Sequence, residues 1–188
     1  MDEVAWVGSI IPLLQVNLSA HDPTLRALQG TKLPYAHEIL LYVESKPKEA
    51  QFVSYETDLL IAEFVRPTEW KPRIVIECKL STVTTHDAIT YSHKSLTHKD
   101  VHPYLRYGIL IGNRKHYPLP GRLFRHGISF DFMQSWQAFE PTADEVNALL
   151  HLIIEEVTAS RSLEEIIFNS RSSKRARYTI LHKPLRLR

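Results

Sequence analysis

Two short stretches carry carboxylates and a lysine at a spacing that can do chemistry. In Tyr55-Glu56-Thr57-Asp58-Leu59-Leu60-Ile61, Asp58 opens an apolar run. In Pro72-Arg73-Ile74-Val75-Ile76-Glu77-Cys78-Lys79-Leu80, a second apolar run ends on Glu77 and Lys79. Side chains alternate faces along a strand, so Glu77 and Lys79 point the same way and Cys78 the other. If Asp58 lies on the neighbouring strand, three ionisable groups converge. Two carboxylates can hold a divalent cation, and a lysine beside them can orient a water. That equipment breaks a phosphodiester.

Each residue also has a plainer reading. Asp58 belongs to a polar tripeptide of the kind that makes hairpin turns. Glu77 can pair with Lys79 on an exposed strand face. Against this, Ile74-Val75-Ile76 is a continuous apolar run, typical of a strand buried on both faces. Charges entering such a strand are costly without a partner or a purpose.

The pattern resembles the PD-(D/E)xK nuclease superfamily, the restriction-endonuclease-like proteins. Asp58 takes the first position, with Thr57 where the family name has Pro, and Glu77-Cys78-Lys79 takes the second. The resemblance covers residues 33–113 and implies a Mg²⁺-dependent endodeoxyribonuclease, with Mn²⁺ as a substitute. It implies metal ligation by Asp58, Glu77 and the backbone carbonyl of Cys78. It also implies a glutamate on the first core helix, filled by Glu38 with Glu44 as rival if Pro34–Glu44 is that helix. Lys79 would stabilise the developing phosphorane charge, since two adjacent carboxylates oppose the lowered pKa a base needs. A type II restriction enzyme or its nuclease domain is the leading expectation. A structure-specific nuclease such as a Holliday-junction resolvase shares the triad, and a non-catalytic nucleic-acid-binding protein is a third class. Cutting both strands of a duplex requires two sites, hence a homodimer, with Thr142–Phe168 as its expected surface.

The elements that must position these residues follow from periodicity. Val4–Gly30 reads as helical, with Asp22-Pro23 as a helix start and Gly30 as its end. Pro34–Glu44 has helical spacing, although Ile39–Val43 is also compatible with a strand. Lys46–Glu49 reads as a turn, Gln51–Tyr55 and Asp58–Val65 as two strands or one long bent strand, Pro67–Pro72 as a loop and Arg73–Leu80 as the motif strand. His86–His98 reads as helix, Tyr107–Gly112 and Ile128–Phe132 as strands, and Thr142–Thr158 and Ser162–Phe168 as two helices. This order predicts an α/β protein, a three-layer α/β/α restriction-endonuclease-like core with a central mixed sheet and C-terminal helices.

Charge adds a candidate for the partner. The net charge is +2 over 188 residues, but residues 171–188 carry seven Lys/Arg and no acid, leaving 16 basic and 21 acidic groups elsewhere. A basic tail on an acidic body fits a polyanion such as DNA, though a solvated tail has the same composition. Lys94 and the loop residues Arg114, Lys115, Arg122 and Arg125 are candidate phosphate contacts. With 44% hydrophobic and 23% charged residues, the chain reads as one nuclease domain with a basic tail. No membrane span or basic leader is expected, and the single Cys78 fits a reducing, cytoplasmic setting.

Overall fold

The computed structural model describes residues 2–116, 118–169, 171, 173 and 178–188. Its centre is a five-stranded mixed sheet. In spatial order it runs β1 (Leu25–Leu28), β4 (Leu59–Arg66), β5 (Glu69–Leu80), β6 (Arg106–Gly112) and β7 (Phe132–Ser135). The first three are antiparallel neighbours, and β5, β6 and β7 run parallel. Helices α1 (Glu3–His21) and α4 (Ala143–Phe168) cover one face. Helix α2 (Thr85–Val101) and the short α3 (Gly121–His126) lie on the other. The α/β class with a mixed sheet between helices is the one periodicity predicts, and it is consistent with three layers.

Alternation along the central strands builds both cores. Leu59, Ile61, Ile74, Ile76 and Cys78 face α1 and α4, whereas Leu60, Ala62, Val75, Tyr107, Ile109 and Ile111 face α2 and α3. A strand covered on both sides has no polar face, which is why β4, β5 and β6 read as unbroken apolar runs. At Gly112 of β6 an added Cβ would lie 2.3 Å from the Trp6 ring, so only glycine lets α1 approach the sheet there.

Several elements differ from the sequence expectation. Pro34–Glu44 is not a helix: β2 (Thr31–Val43) pairs with β3 (Lys46–Thr57) as a separate two-stranded arm. Local spacing at Ala36, Ile39, Leu40 and Val43 is overridden by cross-strand pairing and by the β-branched and aromatic content of both strands. The turn falls at Glu44 and Ser45, both with positive φ, and Lys46–Glu49 belongs to β3. Asp22 does not begin a helix; its carboxylate accepts from the Thr24 amide in a turn after α1, and Leu25–Leu28 is a strand. Strand β5 starts already at Glu69, and β7 begins at Phe132 rather than ending there. The two C-terminal helices are one 26-residue helix, because Ser160 and Ser162 do not break it.

Helix α1 is long and apolar enough to cross a membrane by length and composition. It packs as a core helix instead, with Trp6, Val7, Ile10, Leu14 and Leu18 buried. The apolar stripe of α4, from Val146 to Val157, is likewise taken up by the sheet.

Candidate active site

The C-terminal half of β5 carries the motif. Glu77 lies on the α2 face with 3% exposure, and its carboxylate accepts a 2.5 Å hydrogen bond from the Tyr107 hydroxyl on β6. Asp58 stands in the bend between β3 and β4, one residue before β4 begins. Its carboxylate accepts from the Cys78 amide at 2.8 Å, taking the place of a ladder carbonyl at the end of the β4–β5 pairing. Pairing of Leu59 with Ile76 sets the Asp58 carboxylate close enough to that of Glu77 for the two to interact. The expected convergence of Asp58 and Glu77 is thus present.

Burial pushes the Glu77 carboxyl up, and the Asp58 charge pushes it further, to about 7; Lys94 and the Tyr107 hydroxyl act in the opposite sense. Lys94, from α2, places its ammonium 3.6 Å from Glu77 and over the Tyr55 and Tyr91 rings. It is therefore a member of the site and not an outlying surface cation.

Lys79 shares the α2 face with Glu77, as alternation requires. Its ammonium lies 5.4 Å from the Tyr91 ring centroid and forms a 3.1 Å ion pair with Glu3. Burial pulls Lys79 down, but the Tyr91 hydroxyl and the Glu3 carboxylate outweigh burial and raise it above an ordinary lysine. Such a group stays charged at neutral pH, which suits it to face an anion rather than to take up a proton.

Glu3 is the residue sequence reasoning missed. It sits in the first turn of α1, where Asp2 caps the helix by accepting from the Ala5 amide, and it reaches both Lys79 and the Leu80 amide. An Asp-Glu pair opening an apolar helix was the available signal. Glu38, assigned to a first core helix, is instead on the exposed part of β2, where it accepts from Gln51 at 2.7 Å. Glu44 is in the arm's turn. Of the helices packed near β5, α1 is the one that brings a glutamate, Glu3, to Lys79.

The donor set fits a hard dication. Asp58 and Glu77 could offer carboxylate oxygens from neighbouring positions, and a cation between them would offset the burial and the Asp58 charge that push Glu77 up. No cluster of three or more His, Cys, Asp or Glu side chains suited to a metal occurs among the described residues. A bound ion would thus complete its shell with backbone oxygen, water and substrate phosphate, as small hard cations do. The Cys78 thiol faces the opposite, α1/α4 side, and burial raises it well above the ordinary thiol range.

The basic loop stands at the same end of the sheet as the motif. Strands β5 and β6 are parallel, so their C-terminal ends lie together. Asn113 donates to the Ser81 hydroxyl, and Arg114 to the Pro118 and Ser81 carbonyls. Lys115 is exposed, and Arg122 and Arg125 are exposed on α3. Tyr117 of this loop and residues 170, 172 and 174–177 of the basic tail lie outside the described residues; 178–188 is exposed chain without helix or strand.

No protein-family model matches the sequence, and no curated protein is significantly similar to it.

Proposed function

We propose that the chain is a metal-dependent endodeoxyribonuclease that hydrolyses DNA phosphodiester bonds. The observation that carries this reading is the contact between Asp58 and buried Glu77 with Lys79 one pleat further on the same face. Asp58 and Glu77, with the Cys78 carbonyl, would hold Mg²⁺ or Mn²⁺. When bound, the ion supplies Lewis-acid polarisation of the phosphate and an activated water. Lys79, kept charged by Glu3 and Tyr91, faces the developing negative charge, and Lys94 offers a second cation toward the phosphate. A two-fold homodimer would supply the second site needed to cut both strands. The reducing cytoplasm suits its one buried thiol.

A type II restriction enzyme and a structure-specific nuclease use the same groups. The aromatic lining around the site, Tyr55, Tyr91 and Tyr107, favours giving the second reading equal standing. Incubation with supercoiled plasmid tests the proposal. Nicking or linearisation in Mg²⁺ or Mn²⁺, lost on chelation, is the expected result. Cut positions on a defined duplex and on a branched substrate separate the two classes. Intact plasmid under every metal condition would overturn the nuclease reading.

A further inference from the structure

The arm leaves an open cleft of about 590 Å³ where it meets the end of α2, lined by Tyr35, Ala36, His37, Phe52, Asp100 and Val101. Its walls do not resemble an ordinary arm surface. The His37 and Phe52 rings are stacked across the two strands at 4.6 Å, and Phe52 remains 65% exposed. Tyr35 stacks on Tyr55 at 3.8 Å. The Asp100 carboxylate is exposed and has no hydrogen bond or ion pair among the described residues.

The cleft connects to the carboxylate pair by a short run of contacts. Tyr35 touches Tyr55, Lys94 lies 5.2 Å from the Tyr55 ring centroid, and the same ammonium is 3.6 Å from Glu77. A strand of nucleic acid whose phosphate sits at Lys94 would therefore carry a neighbouring nucleotide to the arm's root.

We infer that this cleft binds an unpaired nucleobase of the DNA substrate, stacked on the open face of the Phe52–His37 ring pair with its exocyclic amino group donating to Asp100. The chemistry selects this occupant. An exposed ring pair offers a flat π surface, and base stacking on aromatic side chains is sequence-tolerant and worth about 1–3 kcal/mol per base. Only a base outside the double helix exposes a face to stack on, so a fully paired duplex cannot use the cleft. A carboxylate repels phosphate but accepts from an amino group, so Asp100 points to the base rather than to the backbone. The volume suits a nucleotide-sized ligand. The inference rests on the nuclease reading and narrows its substrate to DNA with unpaired nucleotides beside the cut: flaps, forks and junctions.

The test is a binding measurement in Ca²⁺, on a duplex carrying a short unpaired flap with 2-aminopurine at its base, against the matching perfect duplex. Tighter binding of the flap by about tenfold, with quenched 2-aminopurine fluorescence, is expected. Phe52→Ala should bring flap affinity down to that of the duplex, leave duplex affinity unchanged and restore the fluorescence. Asp100→Asn should weaken an adenine- or cytosine-containing flap more than a thymine one. Equal affinity of the wild type for flap and duplex would overturn the inference, as would a Phe52→Ala variant that weakens both alike. So would a Phe52→Ala variant that turns a dimer into a monomer, because the arm would then be a protein contact. Cleavage is not read, so failure here leaves the nuclease reading standing. Intact flap binding without nicking of any DNA in Mg²⁺ or Mn²⁺ would strike the nuclease reading alone.

Discussion

Glu77 is a buried carboxylate with a second carboxylate beside it, so its charged form depends on the Tyr107 hydroxyl and on nearby cations. Lys94 is one such cation and a bound metal would be the other. Asp58→Ala, Glu77→Ala and Lys79→Ala are each expected to lower metal-dependent plasmid cleavage by at least about 100-fold, in line with the loss of one preorganised charge in an active site. Circular dichroism should show folded variants, and near-normal nicking by any of them would remove that residue from the mechanism. Glu3 is expected to act through Lys79, since its contacts are with that ammonium and the Leu80 amide. Glu3→Gln is expected to reduce the turnover number about tenfold while leaving DNA affinity in Ca²⁺ unchanged, because the hydrogen bond persists but the ion pair does not. Equal loss in affinity and turnover would show instead that Glu3 shapes the DNA surface.

At the scale of elements, β5 is anchored at both ends. The far end from the site holds Arg73, 3% exposed, paired with Glu63 at 2.5 Å and with Glu164 of α4 at 2.7 Å. Arg161 joins Glu63 to Asp22, so β4, β5, α4 and the turn after α1 meet in one ionic network. Arg73→Ala leaves Glu63 and Glu164 partly buried without their shared partner and is expected to cost about 3 kcal/mol. Urea melts monitored by tryptophan fluorescence would measure it, and a loss below ~1 kcal/mol would mean that water replaces the guanidinium freely. The arm is the contrasting element. Residues 37–52 of the ribbon are almost entirely exposed, and a two-stranded ribbon has no core of its own. Its exposed Leu40, Tyr42 and Phe52 fit a binding element better than a structural one.

For the molecule as a whole, two titrating and charged regions set the response to solution conditions. His98 is 1% exposed beneath the arm, and its Nδ1–H donates to the Pro34 carbonyl while Nε2 finds no partner among the described residues. Burial lowers it to about 4. Above an unfolded value of about 6.5 both states are neutral and stability is full. As pH falls from about 6.5 toward 4, the unfolded chain takes a proton that the folded chain refuses, so stability declines and then levels off. Glu77, raised in the fold, contributes in the opposite sense, so the wild type should be compared with His98→Gln. The wild type is expected to lose about 2 kcal/mol more between pH 7 and 4.5 in urea melts. Equal losses would mean that His98 is protonated in the folded state. The second region is the basic end of the sheet. Replacing Lys115 or Arg122 with Ala should weaken binding to all DNA sequences in Ca²⁺ and lower the salt slope by about one unit each. A slope unchanged in these variants but reduced on removal of residues 171–188 would move the phosphate contacts to the tail.

The three inner strands of the sheet, β4, β5 and β6, and the motif on them were legible in the residues alone, whereas the edge strands β1 and β7 were not. Leu59-Leu60-Ile61, Ile74-Val75-Ile76 and Ile109-Leu110-Ile111 are strands buried on both faces, and that demand is written in each residue without reference to distant partners. Alternation alone placed Glu77 and Lys79 on one face and Cys78 on the other. Local spacing failed where long-range pairing competes with it. Residues 34–44 satisfy a helical period, yet become β2 because Thr31–Val43 finds β3 across a two-residue turn, and cross-strand partners are invisible to a local window. The same limit hid Glu3. It lies 76 residues before Lys79 in the chain, and the two meet only because α1 packs across the sheet with its N-terminus at the end of β5.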